Sequence, residues 1–576
     1  MSARAPSTAR FAALAALLLS GCGSPPSAQR PVARAAGPSA AATDDGAPGR
    51  AAETMTSSYD NPILPGFYPD PSICRVGDDY YLVTSSFEYF PGVPIFHSRD
   101  LIHWRQLGHV LTRPSQLSLD GAKSSQGIFA PTIRYHAGTF YVVTTNVSTD
   151  GSFFVTASDP AGPWSDPIWV KEPVFTMDPS LSFADDGRAF YTRHGGREHG
   201  GAYQAEIDLK TGRVHGEAQL IWKGTGQVWP EGPHLYPIDG RYYLLLAEGG
   251  TSTGHRVTVA RSASPFGPFE PNPHNPILTH SDRPLEPIQA TGHGDLVQAA
   301  DGNWWLVFLG IRRWDGQHHH LGRETFLAPV RWSDDGWPVV NAGEPISLRM
   351  QPSQALPAAH PWPAEPARDE FDSTTLGLDW NFLRNASGER WSLAARPGHL
   401  RLQGGAASLD EIGTPAFVGR RQRHFRASAR ASLDFTPRTK ADRAGLTLRA
   451  NEDNHYDLVL TGEPGQRRVQ LSTRTQGKTT LIAEQRAGDG PVELGIEAFA
   501  DHYELGFVAG GERRVLGRAP TAPLSTEAAG GFTGVYIGMF ATTAASMPMP
   551  PANFDWFEYT PGAEVSAPRR APRQAD

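Results

Sequence analysis

Three carboxyl groups and one imidazole stand at matching positions in a repeated sequence pattern. The pattern is a glycine in a turn followed by aromatic or apolar residues in strand-like order. It occurs at Gly77-Asp78-Asp79-Tyr80-Tyr81-Leu82-Val83, Gly138-Thr139-Phe140-Tyr141-Val142-Val143, Gly187-Arg188-Ala189-Phe190-Tyr191, Gly240-Arg241-Tyr242-Tyr243-Leu244-Leu245 and Gly302-Asn303-Trp304-Trp305-Leu306-Val307. Seven to nine residues upstream of these glycines lie Asp70, Ala130, Asp178, Glu231 and His293. In a fold whose repeats are arranged around an axis, those five positions form a ring at one mouth of a central channel. Like charges crowded this way are costly unless a proton, cation or ligand compensates, and a ring serving structure alone is more cheaply apolar or amide. Glycoside cleavage with inversion is chemistry that wants such a group. One carboxyl protonates the leaving oxygen and another draws a proton from water, with about 6.5–9.5 Å between them for that water. The acid must keep its proton near neutral pH. A third carboxylate beside it, left ionised, would raise its pKa by repulsion.

The elements that must position these groups follow from the repeat. Its spacing of roughly 50 to 60 residues suits one four-stranded sheet per unit, as in propeller repeats, and five units predict a five-bladed β-propeller over residues 59–350. Ser158-Asp159-Pro160-Ala161-Gly162-Pro163-Trp164 and Ser264-Pro265-Phe266-Gly267-Pro268-Phe269 echo one another in support. The chain has 576 residues, too many for one ordinary core. It holds 60 Gly, 50 Pro and 10% aromatics and no long helical period, which reads as all-β. Residues 351–368, rich in Pro and Ala, read as a linker. Beyond them Phe425, Ala427, Ala429, Ala431, Leu433 and Phe435 alternate with polar residues, as do Val492, Leu494 and Ile496. That period of two predicts antiparallel strands, and about ten such runs predict a β-sandwich over residues 369–562. Near its end Phe554, Trp556 and Glu558 are expected on one face. Residues 563–576 read as a disordered tail. The linker is Pro-rich and hence stiff, so the sandwich is expected to pack on the propeller and wall the pocket.

A net charge of −8 gives no electrostatic footprint for nucleic acid, and no apolar run is long enough to span a membrane. At the N-terminus, Arg4 and Arg10 precede an apolar run from Phe11 to Leu19 and then Ser20-Gly21-Cys22. This describes a secretory signal over residues 1–22. Leu19-Ser20-Gly21-Cys22 resembles the bacterial lipobox, which would lipidate Cys22 and make membrane contact through that lipid alone. Residues 23–58 suit a flexible tether. The expected location is outside the cytoplasm, as a bacterial membrane-anchored lipoprotein of the periplasm or cell surface. Cys74 then has no partner, and its apolar strand suggests a buried, inert thiol.

Three motifs carry a family resemblance. Asn61-Pro62-Ile63-Leu64-Pro65-Gly66-Phe67-Tyr68-Pro69-Asp70-Pro71-Ser72-Ile73, Asp178-Pro179-Ser180-Leu181-Ser182-Phe183 and Trp229-Pro230-Glu231-Gly232-Pro233-His234-Leu235-Tyr236 resemble glycoside hydrolase family 43 in order, context and spacing. The likeness runs from about Tyr59 to Tyr559, through both domains, and is of the β-xylosidase and α-L-arabinofuranosidase type. It implies an inverting mechanism with Asp70 as general base, Glu231 as general acid and Asp178 as the carboxylate that tunes and orients. It also implies that Phe87 packs on the bound sugar, that Phe129 and Ala130 form a wall, and that Arg323 binds sugar hydroxyls and orients a carboxylate. His293 matches the family's axial histidine, beside which a calcium or other cation is often held largely by water. No cofactor is required and no side chain is assigned as a metal ligand. His318-His319-His320 reads as a pocket-rim loop, since three consecutive residues cannot all face one ion. The expected activity is exo-acting release of xylose, arabinose or both from xylan- or arabinan-derived oligosaccharides. The alternatives are an endo-acting, arabinanase-like hydrolase and a sugar-binding propeller without turnover.

Overall fold

The computed structural model describes residues 58–563 except 150, 173–175, 196–199 and 387. The signal, the tether, Cys22 and nearly all of the tail lie outside the described residues. Each glycine turn of the repeat joins the first two strands of an antiparallel sheet, four-stranded in four cases and, at Gly240, four-stranded with a short fifth strand added. The innermost strands are Ser72–Val76, Thr132–His136, Met177–Phe183, Glu231–Ile238 and Ile288–Gln298. Five such sheets in chain order make the five-bladed propeller, and the repeat glycines all sit at positive φ, from 62° at Gly77 to 88° at Gly302. Closure comes from the segment before the first blade. Tyr59–Asp60 pairs with Arg349–Met350, and Leu64 exchanges backbone hydrogen bonds with Thr325 on the last blade.

The axis is pinned below its mouth. Asp295, on the innermost strand of the fifth blade, accepts from Ser72 Oγ (2.6 Å), Ile73 N–H (3.0 Å), two Arg134 nitrogens (2.8 and 3.1 Å) and the Tyr236 hydroxyl. One carboxylate thus joins four blades. Burial works to raise its pKa, but Arg134, His234 and these hydrogen bonds overcome burial and hold it well below the usual carboxylate range. Cys74 is buried nearby, and burial pushes its thiol up to about 12. This is the inert thiol expected.

Beyond the propeller, a six-stranded and a larger antiparallel sheet form the β-sandwich. The alternating residues of Ala427–Asp434 and Val492–Ala498 point into its core as expected. The closing strand, Ala552–Pro561, departs from expectation. The register shifts at Asp555, opposite Ser432 and Leu433, and such a bulge turns the following side chains to the other face. Phe554, Phe557 and Tyr559 are therefore in the core, whereas Trp556 is outside it, under the Arg368 guanidinium at 3.9 Å.

The outer face of the six-stranded sheet is covered by the propeller. Phe417, Val459, Tyr536 and Phe540 pack with Phe67, Phe87 and Tyr89 in one apolar cluster. Phe382–Leu383 pairs with Tyr89–Phe90 as a two-stranded sheet across the two domains. Arg421 Nε donates to Phe67 O at 2.7 Å, and Tyr89 and Tyr536 stack at 3.7 Å. On the same sheet His455 lies between Asp457 (3.0 Å) and Asp410 (3.1 Å). Burial lowers the imidazole's pKa, but the two carboxylates more than reverse this and push it up to about 9.

Candidate active site

The ring forms where the sequence places it. Asp70 and Ala130 lie just before the innermost strands of blades one and two, and Asp178, Glu231 and His293 on those of blades three, four and five. A local device aims them. Proline cannot donate to a strand ladder, so it is confined to strand starts and bulges. Pro71 follows Asp70, and the first blade's ladder begins only at Ser72. Pro179 follows Asp178 inside a register shift between Met177 and Ser180, and Gly232-Pro233 follow Glu231 inside another between Glu231 and His234. His293 lies in the irregular stretch between Gly292 and Asp295. Asp70, Asp178 and His293 leave the chain at φ of 54°, 50° and 49°, a conformation that costs on the order of 1–3 kcal/mol and gathers at functional sites.

Arg323 donates from Nη1 to Asp70 Oδ1 at 2.8 Å and from Nη2 to Oδ2 at 3.3 Å. Ser85 Oγ donates to Asp70 Oδ2 at 2.6 Å, and Arg323 Nη1 also reaches Thr251 Oγ1 at 3.1 Å. Arg323 is not paired with Glu324, which takes Arg312 and Gly66 N–H instead. Asp178 Oδ2 accepts the Gly232 N–H at 3.2 Å, so the residue after Glu231 is tied to Asp178. His293 Nδ1 is 3.8 Å from Asp70 Oδ1, and its ring presses on Gly232, where an added Cβ would lie 3.0 Å from it.

The electrostatics separate the carboxyls. Burial raises the Glu231 pKa well above the usual value, and the nearby charges of Asp178 and Asp70 add to this against the pull of Arg323. Asp178 is also raised, first by burial and then by Asp70, although His293, His194 and the Gly232 N–H pull it down. Of the two, Glu231 is the one pushed well above its usual value, with Asp178 among the causes. The arrangement sets a carboxyl whose pKa is pushed up near one that a guanidinium fixes, the two kinds of group that acid–base displacement by water needs.

Aromatic rings line one side. Phe87, at φ 49°, is 5.2 Å from Phe129 and 6.1 Å from Phe532 between ring centroids. The Arg323 guanidinium lies 5.7 Å from the Phe87 ring and 5.6 Å from the Phe532 ring. Phe532 comes from the sandwich, and its sequence shows only a β-rich run; nothing local marks it as a pocket residue. Ser85, Thr251 and His194 were likewise not singled out. His194, 1% exposed, bonds through Nδ1 to Pro230 O at 2.7 Å, beside Glu231. The three consecutive histidines diverge. His318 turns to Asp315 and His319 to Glu527, while His320 is buried beside Phe425 and Tyr503.

Comparison with known proteins agrees with this geometry. Residues 59–338 match glycosyl hydrolases family 43, and residues 368–560 match the β-xylosidase C-terminal concanavalin A-like domain. A non-reducing end α-L-arabinofuranosidase of Bacteroides ovatus is 46% identical over 508 residues, covering 87% of this chain and 94% of the relative. The chain belongs to glycosyl hydrolases family 43. A xylosidase/arabinosidase of Butyrivibrio fibrisolvens is 42% identical over 84% of this family 43 chain and 95% of its own. A solved Bacteroides ovatus structure, xyloglucan PUL GH43B, superposes with a TM-score of 0.84 at 45% identity, covering 88% of this chain and all (100%) of the other. The xylan β-1,4-xylosidase of Bacillus halodurans C-125 superposes at 0.82 with 38% identity, over 87% and 100% of the two chains. This family 43 member is accordingly a glycoside hydrolase.

Proposed function

We propose that this enzyme removes single terminal pentoses, L-arabinofuranose and D-xylose, from short oligosaccharides derived from xylan or arabinan. The observation that carries this reading is the enclosure of the reacting groups. Asp70 and Asp178 are 4% and 7% exposed, Arg323 is 7% exposed, and Glu231 is half-buried. Phe87, Phe129 and the sandwich residue Phe532 stand together on one side. Such a site suits one sugar at a chain end, whereas an arabinanase-like groove would leave the carboxyls open along the polymer. The printed activities of the Bacteroides ovatus and Butyrivibrio fibrisolvens relatives, α-L-arabinofuranosidase and xylosidase/arabinosidase, support this choice of sugars.

In this reading Glu231 gives its proton to the glycosidic oxygen as the bond to the anomeric carbon breaks. Asp70 takes a proton from the water attacking the opposite face. The proton lost by Glu231 leaves with the aglycone hydroxyl, and the one gained by Asp70 passes to solvent, from which Glu231 is protonated again. Asp178 holds the Gly232 N–H and keeps Glu231 protonated, while Arg323 fixes the plane of Asp70. Phe87, Phe129 and Ala130 hold the sugar.

The hydrolysis needs no cofactor. Calcium favours six to eight oxygen ligands, and His293 offers one imidazole. Among the described residues no group of three or more His, Cys, Asp or Glu side chains is arranged to hold a metal ion. The donors therefore do not form a protein cage for calcium. A cation beside His293 would be held by water, and no step is assigned to it.

Anchoring through a lipid on Cys22 is part of the proposal, supported by the lipobox-like Leu19-Ser20-Gly21-Cys22. One acyl chain binds a bilayer only marginally and several bind stably. Cys22→Ala should release the protein from the membrane fraction, and unchanged fractionation would refute the anchor. The substrate reading is tested by product analysis on xylobiose, arabinoxylan oligomers and arabinan. Monomeric xylose or arabinose of inverted configuration, released from chain ends, is expected. Early internal fragments would replace it with the endo-acting reading.

A further inference from the structure

Behind the aromatic wall, where the two domains meet, lies a set of buried charges that hydrolysis does not use. Glu88 directly follows Phe87 and is 0% exposed. Its Oε2 accepts the Ser125 N–H at 2.9 Å. Among the described residues its Oε1 has no hydrogen-bond partner, and it lies 3.9 Å from Arg449 Nη1. Arg449, from the sandwich, also donates to the Tyr89 hydroxyl (3.4 Å) and Ser124 Oγ (3.1 Å) and pairs with Glu452 (3.1 Å). Arg384 pairs with the same Glu452, and its backbone N–H donates to Glu88 O at 2.8 Å. Burial pushes the Glu88 carboxyl up to about 7 against the pull of Arg449, with Glu452 adding to the rise. A carboxyl this enclosed, with one oxygen unserved, is dear to keep, and an apolar side chain would fill the interface at less cost.

What the carboxyl holds explains its place. Ser125 is at φ 63°, an unfavourable conformation for a serine. In that conformation its Oγ accepts the Phe532 N–H at 2.8 Å. The approach is so close that a Cβ on Gly531 would lie 2.4 Å from Ser125 Oγ. Three residues past Ser125, beyond Gly127, where a Cβ would lie 2.3 Å from Phe87 O, the same segment pairs back on the wall: Phe87 N–H donates to Ile128 O at 2.9 Å and Ile128 N–H to Phe87 O at 3.1 Å. A continuous path thus runs from Glu88 through Ser125 to Phe532, joining three segments of which two carry the sugar-facing rings.

We propose that Glu88 is a positioning residue for this enzyme, fixing Ser125 so that Ser125 sets Phe532 of the sandwich against the terminal sugar. The proposal rests on the pentosidase reading above. A wall that touches the sugar in both ground and transition states acts on KM more than on kcat, whereas a residue serving stability alone moves melting temperature and leaves KM in place.

The test is steady-state kinetics on 4-nitrophenyl α-L-arabinofuranoside and β-D-xyloside, with melting temperatures, for full-length wild type, Glu88→Ala, Glu88→Gln, Ser125→Ala and the Glu88→Ala/Ser125→Ala double variant. Glu88→Ala should raise KM about tenfold, with kcat changed less. Ser125→Ala should raise KM several-fold, and the double variant should match Glu88→Ala, since groups on one path are not additive. Glu88→Gln keeps an oxygen for the Ser125 N–H and should stay within about threefold of wild type. Should Glu88→Ala fail to fold, Ser125→Ala decides alone. An active wild type whose Ser125→Ala variant keeps its KM within about twofold, or additive effects of the two substitutions, overturns the positioning role. A wild type that turns over neither pentoside overturns the substrate reading, and this proposal with it.

Discussion

Arg323 and Asp70, 253 residues apart in the chain, meet at two points, Nη1 to Oδ1 at 2.8 Å and Nη2 to Oδ2 at 3.3 Å. The planar guanidinium fixes the carboxylate plane in a way that a point charge cannot. Arg323→Lys keeps the charge and loses this geometry. It should lower kcat/KM on an aryl pentoside about 10²-fold, the order expected for a misplaced reacting group, with little change in melting temperature. A loss below about threefold would mean that Asp70 is oriented by Ser85 alone.

Glu231→Gln and Asp70→Asn should each lower kcat about 10²–10⁴-fold, the contribution typical of a general acid or base. They should differ in rescue. A leaving group acidic enough to depart without protonation should recover much of the Glu231→Gln rate and none of the Asp70→Asn rate. Equal rescue of both would reverse or erase the assigned roles.

The charge on Asp178 helps hold the Glu231 pKa up. With Glu231 as the proposed acid, activity is expected to be lost as pH rises through that pKa, which sets the alkaline limb of kcat/KM. Asp178→Asn removes a neighbouring negative charge and should move that limb to lower pH. The measurement is the pH profile of the residual activity. A limb that stays in place would take Asp178 out of the tuning role.

His455 bears on stability. Its folded pKa of about 9 lies above the ordinary histidine value of 6.5. The imidazolium therefore contributes fully below about pH 6.5, and the contribution is lost as pH rises through about 9. Its size is on the order of 2–3 kcal/mol once the solvent-exposed Asp410 is discounted. Melting temperature should fall across this window in wild type and fall less in His455→Gln. Parallel curves would show that the two carboxylates do not stabilise the charged ring.

Deleting residues 369–576 should leave an unstable or insoluble chain. It would strip the partner strand from Tyr89–Phe90, uncover Phe67 and Tyr89, and leave Glu88 without Arg449. A soluble truncated propeller with wild-type melting temperature and activity would contradict the packing described here.

The propeller and its carboxyl ring could be read in the sequence because their determinants are local. The repeat glycines sit in the tight turns, and Pro71, Pro179 and Pro233 begin or interrupt the ladders beside the three carboxyls. Trp556 was misplaced because the register shift at Asp555 arises from pairing with Ser432 and Leu433, more than a hundred residues away, and no local signal announces it. Phe532 was missed for a similar reason. Its function exists only once Ser125 and Phe87 are beside it. The raised pKa of Asp178 depends on burial and on charges from other blades, and the sequence near it says nothing of either.

The strand Phe382–Leu383 completes a sheet begun by Tyr89–Phe90, and Phe532 completes a wall begun by Phe87. During synthesis the whole propeller, which ends at Met350, leaves the ribosome well before Phe532 arrives. The nascent chain therefore carries its acid and base for a long interval in a site that lacks one side. Competence comes late, in the last tenth of translation, and a prematurely terminated product would hold the catalytic carboxyls without the means to grip a sugar.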